Sequence, residues 1–162
     1  MINKVRLANE IQEAREMRNV KIQFPNKDDP TVFIASLKVD EGLYRDVWYR
    51  FKFVIPDDWP YNIPIVRILD KIWHPNFQYL PDSKNGEGFV HIFLPHTLAK
   101  MTIYLIIELI IFLLLYPDPR SSLNVHATDE FEKDYDSFSK HGSDIQQYLK
   151  WEQEEEEEEE EE

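Results

Sequence analysis

At 162 residues the chain is long enough for one domain with an ordinary core and short for two. It has 31 acidic and 18 basic residues, a net charge of −13, but ten of the acids sit in one run, Glu152 to Glu162, broken only by Gln153. The remainder is close to balanced and shows no basic stripe with interleaved aromatics, so nucleic-acid binding is not expected. There are no cysteines, which excludes disulfides, thiolate metal sites and thiol chemistry together.

Taken in chain order, residues 2–17 predict a helix, with Ile2, Val5, Ala8, Ile11 and Ala14 at helical spacing. The charges there (Glu10, Glu13 and Glu16 among the bases) make a poor secretory or transit signal. The period then changes to two. Val20, Ile22 and Phe24 alternate with polar residues and stop at Pro25-Asn26. Further strands are expected at Val32 to Val39, Val47 to Ile55 and Ile65 to Leu69, bounded by Gly42, Pro56, Pro60 and Pro64. Residues 70–100 hold no sustained period. The apolar run Met101 to Leu115 would span about 22 Å as a helix, too short for the roughly 30 Å core of a bilayer. It is expected to be a buried helix, and no membrane span is expected. Helices at about Val125 to Ser139 and Asp144 to Trp151 follow, separated at Gly142. Strands first and helices after imply an α+β fold: an N-terminal helix, a four-stranded antiparallel meander, a crossover helix and two C-terminal helices. Residues 1–151 form the expected domain. Residues 152–162 are an acidic low-complexity tail, expected to be disordered or a lone solvated helix and dispensable for folding.

Three motifs then carry a resemblance. Trp59-Pro60-Tyr61-Asn62-Ile63-Pro64, Lys71-Ile72-Trp73-His74-Pro75-Asn76 and Pro117-Asp118-Pro119-Arg120-Ser121-Ser122-Leu123-Asn124 occur in the order found in ubiquitin-conjugating (UBC) enzymes. The chain resembles that family over roughly residues 2–150. Lys21-Ile22-Gln23-Phe24-Pro25 and Asp40-Glu41-Gly42-Leu43-Tyr44-Arg45 look most like the members that conjugate the cullin-modifying ubiquitin-like protein. The resemblance implies a UBC-like α+β fold and a degenerate catalytic site at His74, Pro75, Asn76 and His91. His91, in Gly88-Phe89-Val90-His91-Ile92, stands where active members place the acceptor cysteine. The loop before it, Tyr79 to Glu87, is longer than in those enzymes. The W-x-P segment that normally follows is replaced around Thr97-Leu98-Ala99.

The family reaction passes through a thioester, because a thiolate is both a nucleophile and a good leaving group toward an amine. Imidazole could accept an acyl group but would lose it quickly to water. The chain is therefore expected to be a pseudoenzyme, with His74 and Asn76 kept for structure and His91 a partly exposed loop residue. No cofactor is expected. His91 and His96, with no further clustered ligand, do not make a metal site. The resemblance also implies protein partners. One expectation is a structural or accessory subunit of a multiprotein complex. The alternative is a regulatory variant that binds an active conjugating enzyme or a ubiquitin-like protein without a thioester. Candidate partner-binding residues are Trp59 and Tyr61 in the ligase-facing loop, although burial of Trp59 beside Pro64 is its commoner fate. Leu105, Leu109 and Phe112 are further candidates, at i, i+4 and i+7 on the flank of the apolar helix. Whether Phe131, Tyr135 and Phe138 cover that flank decides if it is core or interface. The expected location is cytoplasmic or nuclear, with an organelle-associated complex as the alternative.

Overall fold

The computed structural model describes residues 1–161 apart from Pro81, Lys84, Asn85 and residues 93–99. The replaced W-x-P region at Thr97-Leu98-Ala99, and His96, lie outside the described residues.

Helix α1, Lys4–Arg15, starts where the Asn3 side chain accepts the Arg6 amide, which satisfies one of the free N–H groups of the first turn. Its inward face is Leu7, Glu10, Ile11 and Ala14. The expected face is thus rotated: Val5 and Ala8 point outward. Glu10 can be buried because Arg6 and the indole N–H of Trp59 both bind its carboxylate.

The four expected strands are present as β1 (Val20–Gln23), β2 (Val32–Leu37), β3 (Tyr49–Val54) and β4 (Ile65–Ile68), each antiparallel to the next. Alternation puts Phe33, Ala35 and Leu37 of β2, and Tyr49, Phe51 and Phe53 of β3, on one buried face. Three short strands that the pattern did not reveal extend the sheet: β5 (Trp73–His74), β6 (Phe77–Gln78) and β7 (Gly88–Val90), giving the order β1-β2-β3-β4-β7-β6-β5. Two or three residues are too few to show a period. They pair because β5 and β6 form a tight hairpin and β7 then fits between β6 and β4.

Helix α2, Ile103–Leu115, is capped by the Thr102 hydroxyl, which accepts the Leu105 amide. Ile103, Ile106, Ile107, Ile110 and Leu114 join the core shared with the sheet and α1, while Leu113 is only partly buried. A 3-10 turn at Pro119–Ser121 leads to α3, Val125–Lys133, capped by the Asn124 side chain.

The C-terminal region departs most from expectation. The helix expected over 125–139 breaks at Asp134, whose carboxylate accepts the Ser137 amide and starts a new helix. That helix, α4, runs unbroken from Tyr135 to Glu161. Gly142 lies inside it rather than between two helices. The missing side chain lets Leu43 approach: a Cβ there would lie 2.9 Å from Leu43 Cδ2. The acidic tail is the last third of α4; its first turn docks on the domain through Gln153, while residues 154–161 are exposed. Gln153 accepts the Trp48 N–H at 3.1 Å and donates to the Trp48 carbonyl at 2.7 Å.

Candidate functional site

The hairpin between β5 and β6 turns at Pro75-Asn76, and the loop holding Pro117 to Asn124 packs over it. The Pro75 carbonyl accepts the Leu123 and Asn124 amides at 2.9 and 3.0 Å. Two of the three motifs of the resemblance are thereby joined into one unit.

Asn76 is the centre of that unit and is fully buried. Its side-chain N–H groups donate to the carbonyls of Asp118 (2.8 Å) and Ser121 (2.9 Å). Its side-chain oxygen accepts the Asp118 amide at 2.9 Å. An amide side chain has two N–H donors, and both are used here. Asn76 thus closes the Asp118–Ser121 loop onto the hairpin and has no donor left for a developing oxyanion.

His74 is likewise buried. Nδ1 accepts the Asn76 backbone N–H at 2.9 Å, and Nε2 lies 2.7 Å from the Leu113 carbonyl. Only the neutral ring with its proton on Nε2 satisfies both contacts. Burial drives its pKa down to about 3, against a smaller upward pull from the Leu113 carbonyl. The ring packs tilted against Phe77 and Tyr44, with centroids 4.3 and 5.0 Å away. His74 is a structural bridge from the hairpin to the end of α2, not an acid or base at neutral pH.

His91 follows β7 directly and is exposed. Its backbone N–H donates to the Asn76 carbonyl at 3.0 Å, so His74, Pro75, Asn76 and His91 do come together. Gly88 sets the approach of β7. A Cβ there would lie 2.4 Å from the Gln78 carbonyl and 2.8 Å from Ile68 Cγ2, contacts no side chain could make. Among the described residues no group of three His, Asp or Glu side chains is placed to hold a metal.

The candidate partner residues are not all exposed. Trp59 is 3% exposed, with its indole N–H 2.7 Å from Glu10. This corrects its assignment to a partner surface: the ring fills the gap between α1 and the loop before β4, and the buried carboxylate holds it there. Tyr61, two residues on, is 80% exposed. On α2, Leu105 is 40% and Phe112 56% exposed, with Leu109 half-buried between them. Phe131, Tyr135 and Phe138 pack on one another, and the flank of α2 stays open among the described residues.

Sequence reasoning missed the pairing of Gln153 with Trp48. Trp48 lies between Lys21 and Lys38, whose ammonium groups are 4.1 and 5.1 Å from its ring centre. Gln153 was visible as the one break in the glutamate run, with nothing nearby in sequence to give it meaning.

Comparison with known proteins agrees with this geometry. The sequence profile of the ubiquitin-conjugating enzyme family matches residues 6–146. A Nedd8-conjugating enzyme of Drosophila melanogaster is 27% identical over 125 residues, 77% of this chain and 66% of that protein. A ubiquitin-conjugating enzyme of Branchiostoma floridae is 32% identical over 118 residues, 72% of this chain and 53% of that protein. The chain therefore spans 66% and 53% of the length of these two relatives. Among solved structures, the E2 domain of a Toxoplasma gondii ubiquitin conjugating enzyme covers 90% of this chain and 97% of its own, with a TM-score of 0.74. At 21% identity that likeness is one of fold. The profile match, the order of the motifs and the sheet with its flanking helices lead to one conclusion: this chain belongs to the ubiquitin-conjugating enzyme family.

Proposed function

We propose that this chain is a non-catalytic member of its family that serves as a structural or accessory subunit of a protein assembly. The observation that carries this reading is the state of the acceptor position. By the resemblance His91 stands at it, the chain contains no cysteine to replace it, and the neighbouring Asn76 has both amide donors committed to the Asp118–Ser121 loop. A thioester carrier needs a thiolate. The relatives' names describe Nedd8 and ubiquitin conjugation. That activity is not carried over to a chain lacking the group that bears the adduct. The open flank of α2 at Leu105, Leu109 and Phe112 supports a lasting protein contact, since contiguous exposed apolar residues on a helix mark interfaces.

A charging assay tests the chemistry. With activating enzyme, ATP and either ubiquitin or Nedd8, no covalent adduct should form. A band removed by reductant or by hydroxylamine would overturn the reading. A second reading, a regulatory variant that binds an active conjugating enzyme or a ubiquitin-like protein reversibly, is favoured by Tyr61, which stands fully out from the ligase-facing loop. Purification from the native source separates the two. A subunit comes away at fixed stoichiometry through a high-salt wash, whereas a regulatory binder is recovered alone.

A further inference from the structure

The face of the sheet opposite the core carries Lys21, Ser36, Arg50 and Lys52 on strands β1 to β3. The end of α4 lies across part of it. Glu152, Gln153, Glu156, Glu157 and Glu160 fall on one side of that helix and face Lys21, Trp48 and Arg50. Their spacing, at intervals of one, three, four and eight residues, is that of a single helical face.

The contact between them is unusual in its economy. Trp48, the residue before β3, and Arg50 within it present their backbone groups in the same direction, toward the β4 side, because the direction alternates with every residue. At Arg50 the groups are used: the N–H donates to Asp70 and the carbonyl accepts the Leu69 amide. One step further the chain of β4 has turned away. The Gln153 amide takes both of Trp48's groups and so supplies one more rung of the ladder from a side chain.

The rest of the contact is charge facing charge. Asp70 first, then Glu156 and Glu152, hold the Arg50 guanidinium above its ordinary pKa. A helix of this composition is unfavourable by itself. Glutamates four apart repel, and its last turn puts negative charge at the negative end of the helix dipole. The cationic sheet face offsets both terms.

We propose that α4 from Leu149 onward is a charge-held strap, which the chain lays over the open face of its own sheet and which lifts as a unit without unfolding the domain. Upstream, Phe138 anchors α4 in the core. Downstream, apart from partly buried Leu149, the seat consists of two hydrogen bonds and screened charges, the weak end of the range of local stabilities.

Amide hydrogen exchange on the full chain tests this, because neighbouring amides report different events. The Trp48 N–H is bonded to Gln153 and reads the strap. The Arg50 N–H is bonded to Asp70 and reads the sheet. Raising salt from about 0.05 to 0.5 M shrinks the screening length to roughly 4 Å. It should speed Trp48 exchange about tenfold and leave Arg50 unchanged.

Two charge-matched variants locate the cause. Changing Glu152, Glu156, Glu157 and Glu160 to Gln removes the sheet-facing charges and keeps Gln153. It should speed Trp48 about tenfold. Changing Glu154, Glu155, Glu158 and Glu159 to Gln removes as much charge from the other side and should leave Trp48 protected. Three results overturn the proposal: an unprotected Trp48 in the native chain at low salt, Trp48 and Arg50 exchanging together under every condition, or the two variants behaving alike.

Discussion

Replacing Asn76 with Ala asks whether that residue is kept for structure. The side chain makes three hydrogen bonds, at 2.8, 2.9 and 2.9 Å, all to backbone groups of the 118–121 loop. Each contributes about 1 kcal/mol net, and a buried partner left unpaired costs about 1–3 kcal/mol. The expected loss is about 3 kcal/mol or more, a large share of the roughly 5–15 kcal/mol that holds a domain of this size together. Asn76→Asp refines the test. The carboxylate keeps the bond from the Asp118 amide but loses both donors and sets an anion against two carbonyls. At pH 7 it should cost at least as much as Ala. Burial would raise the introduced group's pKa above its unfolded value near 3.9, so the folded form binds its proton first. The excess cost over wild type should therefore shrink as the pH falls toward 5. Urea unfolding followed by circular dichroism at pH 7 and pH 5 measures both effects. An Asn76→Ala variant within about 0.5 kcal/mol of wild type would refute the structural role, since only surface changes are so mild.

Further predictions follow from the same geometry. His74 titrates near 3 when folded and near 6.5 when unfolded, so the unfolded chain binds more protons between those values and stability falls with pH there. Going from pH 6.5 to 5 should cost about 2 kcal/mol from this group alone, and a His74→Asn variant should lose that slope in pH-dependent urea titrations. Gly88→Ala should destabilise by about 3 kcal/mol or prevent soluble expression, because its Cβ would overlap the Gln78 carbonyl. Trp59→Phe should cost roughly 1.5–3 kcal/mol in thermal unfolding, the value of a hydrogen bond to the buried Glu10 carboxylate. Leu105→Ser with Phe112→Ser should change stability by less than about 1 kcal/mol, as both are exposed, while abolishing co-purification with a partner. Unfolding of that double variant would make the flank part of the core.

The sequence was most legible where one period acts alone. β1 to β4 alternate between Pro and Gly breaks and were read within a few residues. α2 was read from its apolar run and lost only Met101 and the capping Thr102 at its start. Where two signals overlapped, the stronger masked the weaker. Phe131, Tyr135 and Phe138 keep a helical rhythm across Asp134, so its capping role, visible as an Asp three residues before Ser137, was passed over. In α1 the apolar count favoured Val5 and Ala8, whereas Glu10 takes an inward position because Trp59, far along the chain, offers it an N–H. The candidate site was legible as a set of residues, and Asn76 was expected to be kept for structure; which groups it binds was not legible, since its donors reach carbonyls more than forty residues away. The docking of the tail through Gln153 was missed for the same reason. Like charges side by side predict repulsion, and the cations that oppose them come from β1 and β3.

The rung that Gln153 supplies also bears on how the chain is made. Gln153 lies 105 residues beyond its partner Trp48. At the roughly 5–20 residues per second of protein synthesis, about 5–20 s separate the appearance of the two. During that interval the sheet can assemble while the Trp48 N–H and carbonyl still face water at its upper end. Unsatisfied strand groups of that kind are the places where a nascent chain pairs with a neighbour instead of with itself. The last third of α4 then acts as a closing piece, arriving after the meander it protects, and its ten like charges keep emerging copies apart until it is seated.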